Sequence, residues 1–211
     1  MVCLACLAAV APAPLTGDQP APTVRCEFMV FAGAEDVTGE TRVRVAPTDG
    51  SSPAITVQPR VPASLAPGLY EVQAVRVQDD RVVAIRRAER VSVERAQEQG
   101  ALHVQVINFD PRYGALQIRA AAAGARPPAF QAFAYEPASH DRPVATSIQG
   151  TTYALLVVPG GIYDVRIEST LAPDRPRRSD LWLLGVEVPA DRSRLKLLPA
   201  DWGRLQAPRQ Y

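Results

Sequence analysis

Few groups in this chain could do chemistry, and their spacing limits what they could do. The only histidines are His103 and His140. Nucleophilic catalysis needs a nucleophile, a base and a group that orients the base. Ser139-His140-Asp141 carries the three residue types, but neighbours in a loop cannot reach triad geometry, and no Gly-x-Ser-x-Gly elbow is present. His103 sits inside Leu102-His103-Val104, on the face read as polar. Cys3 and Cys6 form a Cys-x-x-Cys pair without a second pair, so a tetrahedral zinc site would have to be built from scattered groups. Glu35-Asp36 and Asp79-Asp80 lack the oxygen-rich spacing of a calcium loop and read as solvated turn tips. Gly160-Gly161 leads into a strand, so no helix N-terminus is there to receive a phosphate. The expectation is a chain with no catalytic residues, no metal and no cofactor.

Binding chemistry is the remaining class. Lys and Arg total 23 and only Lys196 is lysine, which leaves 23 − 1 = 22 arginines. The 22 acidic residues bring the net charge to +1, so the broad positive field of a nucleic-acid binder is missing and that partner is excluded. Guanidinium forks match phosphate and carboxylate. Arg175, Arg177 and Arg178 gather in one loop, and Arg86, Arg87 and Arg90 occupy a comparable place earlier. Ligand contacts are therefore sought at Arg175, Arg177, Arg178, Tyr135 and Trp202. A carbohydrate- or peptidoglycan-binding module would show exposed aromatics on one face, with Tyr113, Tyr135, Tyr153 and Trp202 as the rings to supply it. Trp182, inside Leu181-Trp182-Leu183, reads as core.

The N-terminus reads as an address. Val2 to Leu15 is apolar, and Ala11-Pro12-Ala13 has the small-x-small form of a cleavage site. No basic residue precedes the apolar run, and Pro14 follows Ala13. Residues 1–22 are read as an export signal or a disordered leader, which places the protein in the periplasm, at the cell surface or outside the cell. Leu4-Ala5-Cys6 resembles the end of a lipoprotein signal, so lipid attachment at Cys6 is a minor branch. No apolar run reaches the ~18 residues of a membrane-spanning helix. With the leader removed only Cys26 remains, so no intrachain disulfide framework is expected.

Whatever binds must be positioned by strands. From Thr23 onward the pattern is period-2 alternation in short segments between turn residues. Tyr163, Val165 and Ile167 share one face of a segment whose other face is Asp164, Arg166 and Glu168. One buried and one wet face is what an antiparallel sheet requires. No segment sustains a helical period. A repeat is also visible: Ala66-Pro67-Gly68-Leu69-Tyr70-Glu71-Val72 matches Val158-Pro159-Gly160-Gly161-Ile162-Tyr163-Asp164-Val165, with the tyrosines 163 − 70 = 93 positions apart. Leu102-His103-Val104, with Gly100-Ala101 before it, aligns with Trp202-Gly203-Arg204-Leu205-Gln206. The chain then divides into a β-sandwich over 23–108, a second over 109–206 and a tail over 207–211. The expected fold is all-β, with two tandem antiparallel β-sandwich domains of prealbumin-like or Ig-like form.

The Pro-Gly-x-Tyr-x-Val signature resembles that of the PEGA and carboxypeptidase-regulatory-like families, prealbumin-like β-sandwich modules of bacterial envelope proteins. Gly114-Ala115-Leu116-Gln117-Ile118 resembles their first strand, and Leu184-Gly185-Val186-Glu187-Val188 their closing hairpin. The resemblance implies a structural motif at Pro67, Gly68, Tyr70, Val72, Pro159, Gly160, Gly161, Tyr163 and Val165, and no catalytic residues. In that motif proline fixes φ, glycine takes the positive φ of a tight turn, and the tyrosine ring enters the core while its hydroxyl meets a backbone partner. The implied role is a non-catalytic scaffold or protein–protein interaction module with a protein partner in the envelope; a glycan partner is the alternative.

Overall fold

The alternating segments become sixteen strands in the computed structural model, which describes residues 23–58, 60–94, 102–120, 130–149, 153–169 and 180–198. The first eight are β1 (Val24–Ala32), β2 (Glu35–Asp36), β3 (Thr41–Pro47), β4 (Ile55–Val57), β5 (Ala63–Leu65), β6 (Gly68–Gln78), β7 (Arg81–Val93) and β8 (Leu102–Asn108). The second eight are β9 (Tyr113–Ala120), β10 (Phe130–Tyr135), β11 (Ala145–Thr146), β12 (Ile148–Gln149), β13 (Tyr153–Pro159), β14 (Gly161–Ser169), β15 (Asp180–Val188) and β16 (Ser193–Leu198). The one helical element among the described residues is a 3₁₀ turn at Thr38–Glu40. No helix of the described residues is long and apolar enough to cross a membrane.

Each set of eight makes a sandwich. In the first, the sheet β4-β3-β6-β7 faces β1, which is flanked by β5 and β8, with β2 pairing its end. In the second, β11-β10-β14-β15 faces β12-β13-β9-β16. The connectivity repeats: β1, β3, β6, β7 and β8 correspond to β9, β10, β14, β15 and β16. The closing strand of each set runs parallel to its opening strand, β8 along β1 and β16 along β9, while every other pairing is antiparallel. Thus Ser193–Leu198 is the counterpart of β8, which corrects the alignment of Gly100–Val104 with Trp202–Gln206. Residues 202–206 lie outside the described residues.

Two hydrophobic clusters fill the sandwiches. Cys26, Phe28 and Val30 of β1 meet Val43, Val45, Val72 and Ala74 in the first. Leu116, Ile118, Leu156, Val165 and Ile167 meet in the second. A third cluster joins the two. Met29 and Phe31, on the opposite face of β1, pack with Val104 against Ala115, Tyr153, Leu155 and Val157. Four sheets are therefore stacked, and β1, β9 and β13 are buried on both faces. This explains the unbroken apolar runs Phe28-Met29-Val30-Phe31 and Tyr153-Ala154-Leu155-Leu156-Val157-Val158, since strands covered twice have no wet face to alternate with. The Tyr153 hydroxyl reaches the Glu27 carboxylate at 3.2 Å and Met29 Sδ at 3.4 Å. Burial first, then Glu27, hold that phenol well above the usual tyrosine range, so it stays protonated.

The junction between β8 and β9 is short and pinned. Asn108 Oδ1 accepts from the Gly33 amide at 3.0 Å and from the Asp110 amide at 2.9 Å, and its Nδ2 donates to the Gly33 carbonyl at 2.8 Å. The Phe109 amide donates to the Phe31 carbonyl at 2.8 Å. These bonds tie the connection to the end of β1, so the middle sheets are held in register rather than tethered.

Candidate functional site

The repeated motif places its tyrosines alike. Tyr70 and Tyr163 each put the ring in a core cluster, and each hydroxyl donates to a carbonyl four residues earlier: Ala66 at 2.7 Å and Pro159 at 2.8 Å. Val72 and Val165 are fully buried beneath them. Pro67 is half-buried and Pro159 exposed at the strand approaches. The glycines work differently from the expectation. Gly68, Gly160 and Gly161 do not take positive φ; among the described residues only Gly33, Gly50 and Gly185 do. Gly160 is required by close approach instead, because a Cβ there would lie 2.7 Å from the Ala190 Cβ. At Gly160 crowding, rather than a positive φ, selects the residue, whereas a Cβ at Gly68 or Gly161 would meet only ordinary contacts. Replacing Tyr163 with phenylalanine removes one hydroxyl–carbonyl bond. This should cost about 1 kcal/mol and lower Tm by roughly 2–4 °C in a chain of this size. Thermal unfolding followed by circular dichroism checks it, with Tyr70→Phe expected to behave alike.

Immediately after each motif tyrosine the register slips. The pairing shifts between Tyr70 and Val72 opposite β7, and between Tyr163 and Val165 opposite β15. In the second sandwich the extra residue is accommodated at Gly185, whose φ of +63° favours glycine. Asp164 fixes the bulge by accepting from the Gly185 amide at 2.9 Å. The same carboxylate meets His140 Nε2 at 2.8 Å. The Gly185 bond first and His140 second hold the Asp164 carboxyl below the usual carboxylate range.

This pair anchors a patch on the outer face of β10-β14-β15. Register puts Tyr135 beside Asp164 and Trp182 beside Arg166, away from the core pairs Val165–Leu183 and Ile167–Leu181. The His140 ring lies 4.5 Å from Trp182 and 5.9 Å from Tyr135, and Tyr135 lies 5.2 Å from Trp182. Leu184 is 70% exposed and Ile162 58% on the same face. Trp182 is therefore a half-buried outer-face residue, not core as its sequence suggested, because the strand alternates Leu-Trp-Leu with both leucines inward. His140 was legible only as a loop residue. Its partner, Asp164, is 24 positions away, and the wet-face parity of Asp164 was the one available signal.

The other sequence candidates do not gather. Tyr135 and Tyr153 are buried and Tyr113 is half-buried. Tyr113 and Tyr153 stand at opposite ends of the β9-β13 face that packs on β1 and β8, whereas Tyr135 lies on the outer face of β10, so the three do not form one open aromatic surface. Trp202, Arg175, Arg177, Arg178, Cys3 and Cys6 lie outside the described residues, as does the side chain of Arg90. Cys26 is a free, fully buried thiol, pushed by burial to about 11. Asp79 and Asp80 form the two-residue hairpin tip of β6–β7, with φ of 48° and 60°. Asp36 accepts from the Thr38 amide and pairs with Arg60. His103 is not on a wet face: it stands beside Cys26 in register, and its Nε2 is buried with no hydrogen-bond partner. Burial first, then Arg119, lower its pKa. His103 and His140 lie in different sandwiches, so no site of two imidazoles forms. No group of His, Cys, Asp and Glu that could hold a metal occurs among the described residues.

No family model matches the chain, and no curated protein matches it. Among solved structures, a candidate adhesin of Bacteroides ovatus is similar at 9% identity with a TM-score of 0.30, covering 98% of this chain and 99% of that one. GBS52, the minor pilin of Streptococcus agalactiae, is similar at 9% identity with a TM-score of 0.27, over 84% of this chain and 94% of that one. The Bacillus anthracis TIE protein is similar at 12% identity with a TM-score of 0.29, over 84% of this chain; the match spans 34% of that protein's length. These likenesses are too remote to carry an argument, and the all-β sandwich assignment rests on the strand pairing itself.

Proposed function

We propose that this chain is a non-catalytic interaction module of the bacterial envelope, built of a sandwich over 23–108 and another over 109–206 and preceded by an export leader over 1–22. The observation that carries the reading is the outer face of β10-β14-β15. There Trp182 stacks on His140, with the exposed Leu184 two residues further along β15 and the exposed Ile162 beyond it, opposite Glu187. A rigid sheet face with a tryptophan, an ordered histidine and uncovered aliphatic side chains has the makeup of a protein-docking centre. The Asp164 carboxylate is engaged in holding the Gly185 bulge and His140, a positioning task rather than a chemical one. Membership of the PEGA or carboxypeptidase-regulatory-like families belongs to this same reading, as does a periplasmic, cell-surface or extracellular location, with lipid attachment at Cys6 as the minor variant.

A photo-crosslinker placed at Leu184 in native cells tests the interaction. One discrete protein adduct is expected, lost when Trp182 is replaced by alanine and absent when the crosslinker sits at the exposed Thr56 of β4. Equal adducts at both positions, or none, would sink the reading. The glycan alternative would use Trp182 on the outer face of β15; it gains if Trp182→Ala abolishes retention on a peptidoglycan column.

A further inference from the structure

A cleft of about 690 Å³ lies between the two sandwiches, lined by β7, β8, β9 and the approach to β16. Its lining shows which part of each strand faces it. From β8 it takes six consecutive residues, His103 to Asn108. A strand presents alternate residues from a face and consecutive residues from an edge. The cleft therefore runs along the edge of β8, whose one strand partner among the described residues is β1 on the other side. From β9 it takes Tyr113, Ala115, Gln117 and Arg119, alternate residues of one face, with Gly114 beside them at the start of the strand. β8 thus stands with its backbone edge over the outer face of the β9-β16 sheet.

Among the described residues the stack is one strand short at this point. β1 and β8 cover β13 and β9, burying Met29, Phe31 and Val104 against Ala115, Leu155 and Val157. Nothing among the described residues covers β16. Leu195 pairs with Gln117 and Leu197 with Arg119, so both leucines point to the same outer side. They remain 50% and 57% exposed. A strand added to β8 would continue its sheet over these two leucines. The cleft also carries charge. Arg86, Arg87, Arg119, Arg192 and Arg194 line it, with Asp191 as the one acid among the lining residues; Arg86 is paired with Asp191 and Arg194 with Glu187.

We propose that this cleft takes an extended acidic segment of a partner polypeptide, which pairs as an added strand with the β8 edge that has no strand partner among the described residues. Alternate side chains of the guest are apolar and lie on Leu195 and Leu197. The intervening ones are carboxylates that meet the arginines, above all Arg87. Backbone pairing supplies affinity, and the two-residue alternation supplies selectivity. The inference deepens the interaction reading above and rests on it, but uses a different surface from the Trp182 face.

The test uses the full chain and an eight-residue peptide of alternating valine and glutamate, with binding followed by calorimetry and by amide exchange of β8. Saturable binding is expected, with slowed exchange of alternate β8 amides. Arg87→Glu and Leu195→Asp, both surface changes, should each weaken it at least tenfold. A valine–lysine peptide should not bind, nor should the acidic peptide N-methylated at every second residue on its pairing edge. Absence of binding overturns the proposal. So does binding that survives N-methylation, or equal binding of polyglutamate, which would reduce the cleft to an anion site. Self-association of the protein that Leu195→Asp abolishes, with no peptide bound, would assign the edge to a second copy instead. Loss of peptide binding with the Leu184 adduct intact would refute the cleft alone; loss of both would refute the interaction reading itself.

Discussion

Phe31→Ala should cost about 3–5 kcal/mol, the range for truncating a buried phenylalanine, and should separate the unfolding of the two sandwiches. Phe31 is fully buried, yet it belongs to neither sandwich interior. It lies in the middle layer with Met29, Val104, Tyr153 and Leu155, where the two halves meet. Truncation leaves a cavity between the β1-β8 and β9-β13 layers, which the Tyr153 hydroxyl bonds to Glu27 and Met29 bridge. Phe28 supplies the comparison. It sits three positions earlier on the same strand, 3% exposed, but faces the first sandwich interior. Phe28→Ala should cost a similar amount and destabilise the first sandwich directly. Calorimetry distinguishes them: one cooperative transition for the parent chain, two resolved transitions for Phe31→Ala. A loss below about 1 kcal/mol, a figure typical of surface changes, would mean that the middle layer contributes nothing to coupling.

The contrast between Phe28 and Phe31 also marks what the sequence could tell. Alternation in Tyr163–Glu168 located a strand and assigned its faces, and the 93-residue offset located the repeated connectivity, because both depend on local order. The motif tyrosines were legible for the same reason. The stacked middle sheets were not. Phe28-Met29-Val30-Phe31 reads as four apolar residues, and a strand buried on both faces has no period to betray its second partner. The outer patch failed for a related reason. Trp182 among leucines looks like core unless the parity of β15 is known, and the bulge at Gly185 changes that parity within the strand. His140 and Asp164 meet only because that bulge and the turn after β10 come together. The glycine roles were misassigned because a tight-turn reading considers φ alone, whereas Gly160 answers to a neighbour thirty residues away, Ala190.

Gly114→Ala is the second large effect, and it rests on the same kind of crowding carried further. A Cβ at Gly114 would fall against the Pro189 carbonyl oxygen, with the carbonyl carbon at 3.0 Å and Val188 Cγ1 at 3.1 Å. The obstructing atoms are backbone, so no rotamer change relieves them. Neither side can retreat. Gly114 is paired with Val158 of β13. The segment after Pro189 is held by the Asp191 amide on the Tyr113 carbonyl at 2.8 Å and by the Ala115 amide on the Arg192 carbonyl at 2.9 Å. Overpacking ordinarily costs about 1–3 kcal/mol and sometimes more. Against backbone fixed on both sides the upper end is expected, about 3 kcal/mol, with a fall in Tm of roughly 6–12 °C at this chain length. Gly39→Ala is the matched control, since nothing lies within 4 Å of its Cβ position and its φ is not positive; it should change stability by less than about 0.5 kcal/mol. The contact at Gly114 also sets where β16 begins beside β9, and so sets the distance from Leu195 to the edge of β8. A Gly114→Ala protein that still folds at low temperature should therefore bind the acidic peptide more weakly, although none of its cleft arginines has been touched. Unchanged stability would show that Pro189 yields, and the spacing of the cleft would then be adjustable rather than built in.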